Sequence, residues 1–229
     1  MTIFDLSTTS LRILNQTLHG LDPNKSSDPI RIVNPSGDHS IAVGVDAPVE
    51  IEISGHVGYF CGGMTRQARI TINGNAGQGV GENIESGMIH VKGDASQAAG
   101  ATGRGGLLLV DGNASARCGI SMKGVDIVVK GDIGHLSAFM GQTVRLVVFG
   151  EAGESLGDSL YEAKLFVRGK VASLGADCIE KEMRDEHRAE LHELLKRSGD
   201  AGKIDVSEFR RYGSARQLYN FNIDNAGAY

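Results

Sequence analysis

Few residues in this chain are of types that do chemistry, and their spacing limits what each could do. The string GQGVG at 77–81 has the composition of a loop that brings backbone N–H groups close to a phosphate. A dinucleotide fingerprint needs its third glycine where this chain has Glu82. A polar series, His56, Asn75, Asp94, Asn113, Asp132, Glu151 and Lys170, recurs every 19 residues. Carboxylates grouped with Lys or Arg on one face would suit a lyase or hydrolase acting on polysaccharide. Asp94 and Asp132, however, are two repeats apart, about 10 Å at strand spacing, with no basic residue between them in the series. Asn and Asp in such places read as corner residues that hydrogen-bond local backbone. His90 and His135 stand alone in their columns and read as surface histidines. Cys61 and Cys118 share a column three repeats apart, about 14 Å, too far for a disulfide. Cys178 lies outside that column. Unpaired thiols without Cys-x-x-Cys or clustered His imply a reducing cytoplasm and no metal site. No Ser/His/Asp or Cys/His constellation can be assembled, so no catalytic, cofactor-binding or metal-binding residue is expected on this chain.

The elements that would position these residues follow from an exact repeat. Offset by 19, seven consecutive segments align without insertion, beginning at Val49, Ala68, Gly87, Gly106, Val125, Val144 and Ala163. One column reads Ile51, Ile70, Ile89, Leu108, Ile127, Leu146, Leu165, and two residues on comes Ile53, Ile72, Val91, Val110, Val129, Val148, Val167. Apolar, largely β-branched residues separated by one position are the inward face of a short strand. Glycine closes each strand: Gly55, Gly74, Gly93, Gly112, Gly131, Gly150, Gly169. Invariant glycine there means either φ > 0 or an approach too close for a Cβ. A second series, Gly62, Gly81, Gly100, Gly119, Ala138, Gly157, Ala176, marks further tight corners. Since the GQGVG glycines recur in neighbouring coils, they are corner residues. The pattern predicts an all-β solenoid, a right-handed parallel β-helix of about seven 19-residue coils over 49–176, roughly 34 Å long. Neither the leucine-rich pattern nor the six-residue apolar spacing of left-handed hexapeptide helices is present.

Composition bounds the partners. The net charge is −5 without a basic block, which argues against nucleic acid. No apolar run approaches membrane-spanning length, and the first residues lack the basic start and apolar core of a signal peptide. Residues 1–48, with a helix expected at Thr8 to Leu18, read as a cap over the open N-terminal end. After the coils, Asp177 and Glu180 have capping-box spacing and predict a helix from Asp177 to Ser198, ended by Gly199, with an apolar stripe at Ile179, Met183, Leu191, Leu194 and Leu195. Residues 200–229 form an extended tail in which Phe209, Tyr212, Tyr219, Phe221 and Tyr229 concentrate the aromatics.

One asymmetry points to function. The outward column between the two inward ones reads Glu52, Thr71, His90, then Leu109, Val128, Val147, Phe166. An outward apolar ladder is a contact surface. The C-terminal helix is expected to cover part of it and a partner chain the rest. Together with Phe209, Tyr212, Tyr219 and Phe221 of the tail, this ladder is the expected interface.

The glycine spacing G-x2-G-x3-G in GHVGYFCG, GNAGQGVG and GEAGESLG, with AGATGRGG at Ala99 to Gly106, resembles the GXGXG domain that ends the large subunit of glutamate synthase. EFRRYGSARQLYNF, with Ser214-Ala215-Arg216, resembles the segment after that domain. The resemblance covers roughly residues 50 to 221. In glutamate synthase this domain follows a class II amidotransferase domain and an FMN-binding barrel, neither of which is in this sequence. A freestanding GXGXG chain is similar to the GXGXG subunit of N-methylglutamate synthases, which make N-methylglutamate from methylamine and glutamate. The resemblance implies no catalytic residue here. It implies a hetero-oligomer with a class II amidotransferase-like subunit and an FMN-binding subunit, FMN (and, where present, an iron–sulfur cluster) residing on the partner. The alternative is the GXGXG-bearing chain of a formylmethanofuran dehydrogenase or formyltransferase/hydrolase complex. The charged helix and YGSARQLYNF favour the glutamate synthase side.

Overall fold

The computed structural model describes residues 1–217. Its strands are β1 (Thr2–Asp5), β2 (Ile30–Val33), β3 (Glu50–Ser54), β4 (Arg69–Ile72), β5 (Met88–Val91), β6 (Leu107–Val110), β7 (Asp126–Val129), β8 (Arg145–Val148), β9 (Lys164–Val167), β10 (Cys178–Lys181) and β11 (Arg210–Ser214). The helices are α1 (Leu11–His19) and α2 (Asp185–Arg197). β1 to β9 pair in parallel and in sequence order, followed by β11 and then β10, both antiparallel. From β3 onward each parallel pairing joins residues 19 apart, such as Ile51↔Ile70 and Leu146↔Leu165. The repeat read in the sequence is therefore the rise of a β-solenoid.

The two inward strand columns, from Ile51 and Ile53 to Leu165 and Val167, are at most 2% exposed. A second wall is drawn by single-residue parallel bridges, Val57↔Ala76↔Ala95↔Ala114↔Ile133↔Ala152↔Val171. Cys61, Val80, Ala99, Cys118, Ser137 and Leu156 form a further inward column, each 0% exposed. The two repeat cysteines are thus ordinary core residues, and all three cysteines are free.

Between these walls the backbone alternates in hand. In one coil Ala98, Gly100 and Thr102 have φ of 58°, 67° and 54°; in the next Arg117, Gly119 and Ser121 have 59°, 69° and 52°. The alternation turns successive N–H groups along and against the solenoid axis. Ala98 and Thr102 donate to Ala116 and Ile120 of the following coil, whereas Gly100 donates to Val80 of the preceding one. Every second residue therefore carries the strain of left-handed geometry and gains an inter-coil hydrogen bond. The middle place is glycine because a Cβ at Gly100 would also lie 2.6 Å from Ile127 Cδ1 in the core.

The ends of the solenoid differ from expectation. At the N-terminal end the sheet continues through β2 and β1, so the stack starts before Val49. The first helix begins at Leu11, with the Ser10 hydroxyl accepting from Ile13 N–H, and buries Leu14 and Leu18 in the core. Asn15 pins it to the first turn, donating to Ser40 O and accepting from Ala42 N. At the other end the helix does not begin at Asp177. Residues Cys178–Lys181 are β10, held by β11, and α2 starts at Asp185. Asp177 sits at φ 61°, and its carboxylate accepts from Ser214 Oγ and Gln217 N rather than capping a helix. Ile179, expected in the helical stripe, lies on the edge strand and is exposed. Leu191, Leu194 and Leu195 are buried as expected.

Candidate interaction surface

Outward from the sheet, Leu109, Val128, Val147 and Phe166 stand side by side through the pairings of β6 to β9. All four are at most 1% exposed. They form one apolar cluster with Leu107, Phe149 and Leu191, Leu194 and Leu195 of α2. The ladder is thus covered completely by this chain, not shared with a partner, because three α2 leucines and Phe209 suffice to roof four short strands. Phe209 meets Phe149 edge to face at 5.8 Å and is 3% exposed. Tyr212, on β11, packs into the solenoid core and is 2% exposed. These two aromatics, read in the sequence as docking residues, are internal packing residues. The correction has a plain cause: β11 inserts between β9 and β10, a pairing that no local pattern announces. Tyr219 and Phe221 lie outside the described residues.

The roof is locked by charge. Asp126, 7% exposed, receives two hydrogen bonds from Arg145 at 2.8 and 2.7 Å and one from Arg197 at the end of α2. Arg145 also reaches Glu193 of the helix at 2.9 Å, and Lys164 reaches Glu190. At the border where the face turns polar, His90 Nε2 lies 2.9 Å from Asp111 Oδ2. Lys130 bridges Asp111 at 3.0 Å and Asp200 at 3.2 Å. Burial holds the His90 pKa below the usual histidine value despite the Asp111 partner. Burial also works against the Asp111 carboxylate, but hydrogen bonds from Lys130 and His90 outweigh it and keep its pKa low. His90 is therefore a packed residue with a partner, not the surface histidine expected; His135 is exposed.

The polar series is spent on backbone. Asn75 Oδ1 accepts from Asp94 N, Asp94 Oδ1 from Asn113 N, Asn113 Oδ1 from Asp132 N and Asp132 Oδ1 from Glu151 N, at 2.7–3.0 Å. The bonds run to the next coil, not to each residue's own corner as sequence reasoning held. No group of three or more His, Cys, Asp or Glu among the described residues could hold a metal ion. Burial pushes all three thiols up to about 12, which removes the thiolate needed for nucleophilic or redox chemistry. No helix among the described residues is long and apolar enough to cross a membrane. The described surface keeps isolated apolar side chains, among them Ile3 on β1, Tyr59, Met64, Met140 and Ile179.

No protein-family model matches the chain. It is similar to protein GlxC of Rhizobium meliloti (strain 1021), with 59% identity over 229 residues that span 100% of both chains.

Proposed function

We propose, from the premise that the chain belongs to the GlxC family, that it is the non-catalytic scaffold subunit of an FMN-dependent, glutamate synthase-like complex. N-methylglutamate synthase is the member its coils resemble most, and the reaction would join methylamine to L-glutamate with release of ammonia. The observation that carries the scaffold reading is the polar series from Asn75 to Asp132. Its side chains, the ones best placed to form a catalytic row, already cap the N–H groups of the next coil. The GXGXG spacing supports the glutamate synthase side. The relative aligns with this chain over its whole length. On this reading FMN, and any iron–sulfur cluster, sits on a synthase-like partner in the cytoplasm, ammonia or amine handling on an amidotransferase-like partner, and this chain joins them.

Reconstitution tests it. The chain is co-expressed with an amidotransferase-like and an FMN-binding synthase-like chain from the same organism, and the purified material is supplied with methylamine and glutamate. We expect a stable three-chain complex that forms N-methylglutamate and loses activity when this chain is left out. Activity of the two partners without it would refute the scaffold role. A complex that turns over glutamine and 2-oxoglutarate but not methylamine would retain the scaffold and replace the substrate.

A further inference from the structure

The apolar ladder on the outward face ends in a cation. In strand pairing, the row that runs through Val147 and Phe166 continues to Arg211 on β11 and then to Lys181 on β10. Arg211 is 8% exposed. A guanidinium taken out of water at that depth carries a desolvation penalty unless an anion and further hydrogen bonds offset it. Its one hydrogen bond among the described residues runs from Nε to the carbonyl of Glu182, at 2.9 Å. Glu182, Glu186 and Glu190 are near enough to favour its charge, but none is in ion-pair contact with it. Lys181, beside it, donates to the carbonyl of Ser214 at 2.8 Å and has no carboxylate in contact among the described residues.

Both cations open on one pocket of about 430 Å³, lined also by Lys164, which is paired with Glu190, and by Arg184, His187, Ser214 and Arg216. Its carboxylates, Glu162 and Glu186, are engaged by Arg216 and by Arg184 respectively. Burial and the charges of Arg211 and Arg216 depress the Lys181 ammonium. Burial and Arg184 likewise depress the Arg211 guanidinium. Cations that disfavour one another in a shared cavity define a site of uncompensated positive charge, and the planar fork of an arginine suits two oxygens of one anion.

We propose that this pocket binds a small oxyanion, a carboxylate or a phosphate group, with Arg211 and Lys181 as its principal ligands and Arg184 at its rim. The size fits a small molecule rather than a macromolecular surface. The inference is independent of the scaffold role, and it concerns the isolated chain.

Calorimetric titration and thermal melting of the full chain with inorganic phosphate and with succinate, against chloride at matched ionic strength, provide the test. We expect saturable binding of at least one oxyanion with a rise in Tm, and none with chloride. Whichever oxyanion binds more tightly identifies the group. Arg211→Lys and Lys181→Met should each weaken binding about tenfold or more. Because a change at buried Arg211 can disturb folding, Arg184→Gln at the exposed rim serves as the second variant. It should keep the circular dichroism and chloride Tm of the parent while weakening binding at least threefold. Chloride matching the oxyanions, or equal affinity in all three variants, would overturn the proposal. So would binding that appears only after residues 218–229 are removed, since the occupant would then be the chain's own C-terminal segment.

Discussion

A Cβ placed on Gly93 would lie 2.1 Å from Asn75 Oδ1, and one on Gly112 would lie 2.3 Å from Asp94 Oδ1. The strand-closing glycines Gly93, Gly112, Gly131 and Gly150 are therefore required by the side-chain ladder of the preceding coil, whereas at Gly74 and Gly169 the backbone of the preceding coil leaves no room for a Cβ. Of that column only Gly55 has positive φ, 140°, so the close approach is the operative reason of the two that sequence reasoning offered. Gly93→Ala should destabilise by about 1–3 kcal/mol, the range for forcing an extra carbon into a packed site. Asn75→Ala removes the atom it strikes, so the double variant should be more stable than the two single losses summed. Strict additivity in denaturant melts would place the clash elsewhere. The thiols supply a second prediction. Cys61, Cys118 and Cys178 are raised from 9.0 to about 12, so above pH 9 the unfolded chain releases thiol protons that the folded chain keeps. Stability must then fall as pH rises, by about 1.4 kcal/mol per thiol at pH 10. Cys61→Ala with Cys118→Ala should flatten that fall in Tm between pH 8.5 and 10.5, whatever the double change costs at pH 7. An unchanged slope would mean that the thiols are not buried. At this scale the inward columns were legible because their period is exact and their residues are large. The alanine wall at Ala76, Ala95 and Ala114 gave no hydropathy signal. The left-handed residues beside Gly100, Ala98 and Thr102, carry no residue type that marks them.

The helix α2 illustrates what local sequence can and cannot convey about an element. Its last turn and the part of its apolar stripe at Leu191, Leu194 and Leu195 were legible, and these three are buried where a 3.6-residue period puts them, whereas Ile179 and Met183 precede the helix. Its start was not, since Asp177-x-x-Glu180 has the spacing of a cap while the pairing of Cys178 with Ser214 and Lys181 with Arg211 arises from residues about 30 or more positions apart. The hold of the helix on the sheet depends on Asp126, to which Arg145 and Arg197 both donate. Asp126→Ala leaves Arg145 and Arg197 facing each other with the half-exposed Glu193 as their remaining carboxylate. Losing charged hydrogen bonds in such a partly exposed cluster costs about 1–3 kcal/mol. The expected result is early opening of α2, seen as faster amide hydrogen exchange in Leu191 to Leu195 than in the strand residues Ile70 and Ile89. Uniform loss of protection in both would show that helix and solenoid unfold as one unit. By contrast, Val110→Asp, which puts a carboxylate among fully buried side chains, should abolish folding of the coils themselves.

On the scale of the whole molecule, the stack consists of repeating coils that contact their neighbours, closed by α1 at one end and extended by β11 and β10 at the other, with α2 laid on the outward face of β6 to β9. Stability in such a solenoid is a sum of nearest-neighbour interfaces, and its ends need caps. That fact reverses one inference the sequence invited. A tail rich in aromatics looked like a docking segment, yet Phe209 and Tyr212 are internal and β11 supplies the strand between β9 and β10. Deleting residues 205–229 would uncover the apolar roof at Phe149 and Phe166 and leave β9 without its neighbour. Loss of the Phe209 packing alone is worth about 3–5 kcal/mol, and for a chain of this size that corresponds to a fall in Tm of roughly 10 °C. The shorter deletion of 218–229 spares both residues and the whole of β11, and it removes Tyr219 and Phe221. It should cost much less in Tm while weakening co-purification with the amidotransferase-like and FMN-binding chains, since aromatic side chains carry much of the energy of an interface. The two truncations separate capping from docking, provided melting of the isolated chain and pull-down of the partners are measured on both. If the shorter chain recovers its partners undiminished, assembly must use the faces that the chain leaves uncovered. The first of these to probe are the polar outward positions at Glu52 and Thr71 and the edge strand bearing exposed Ile3.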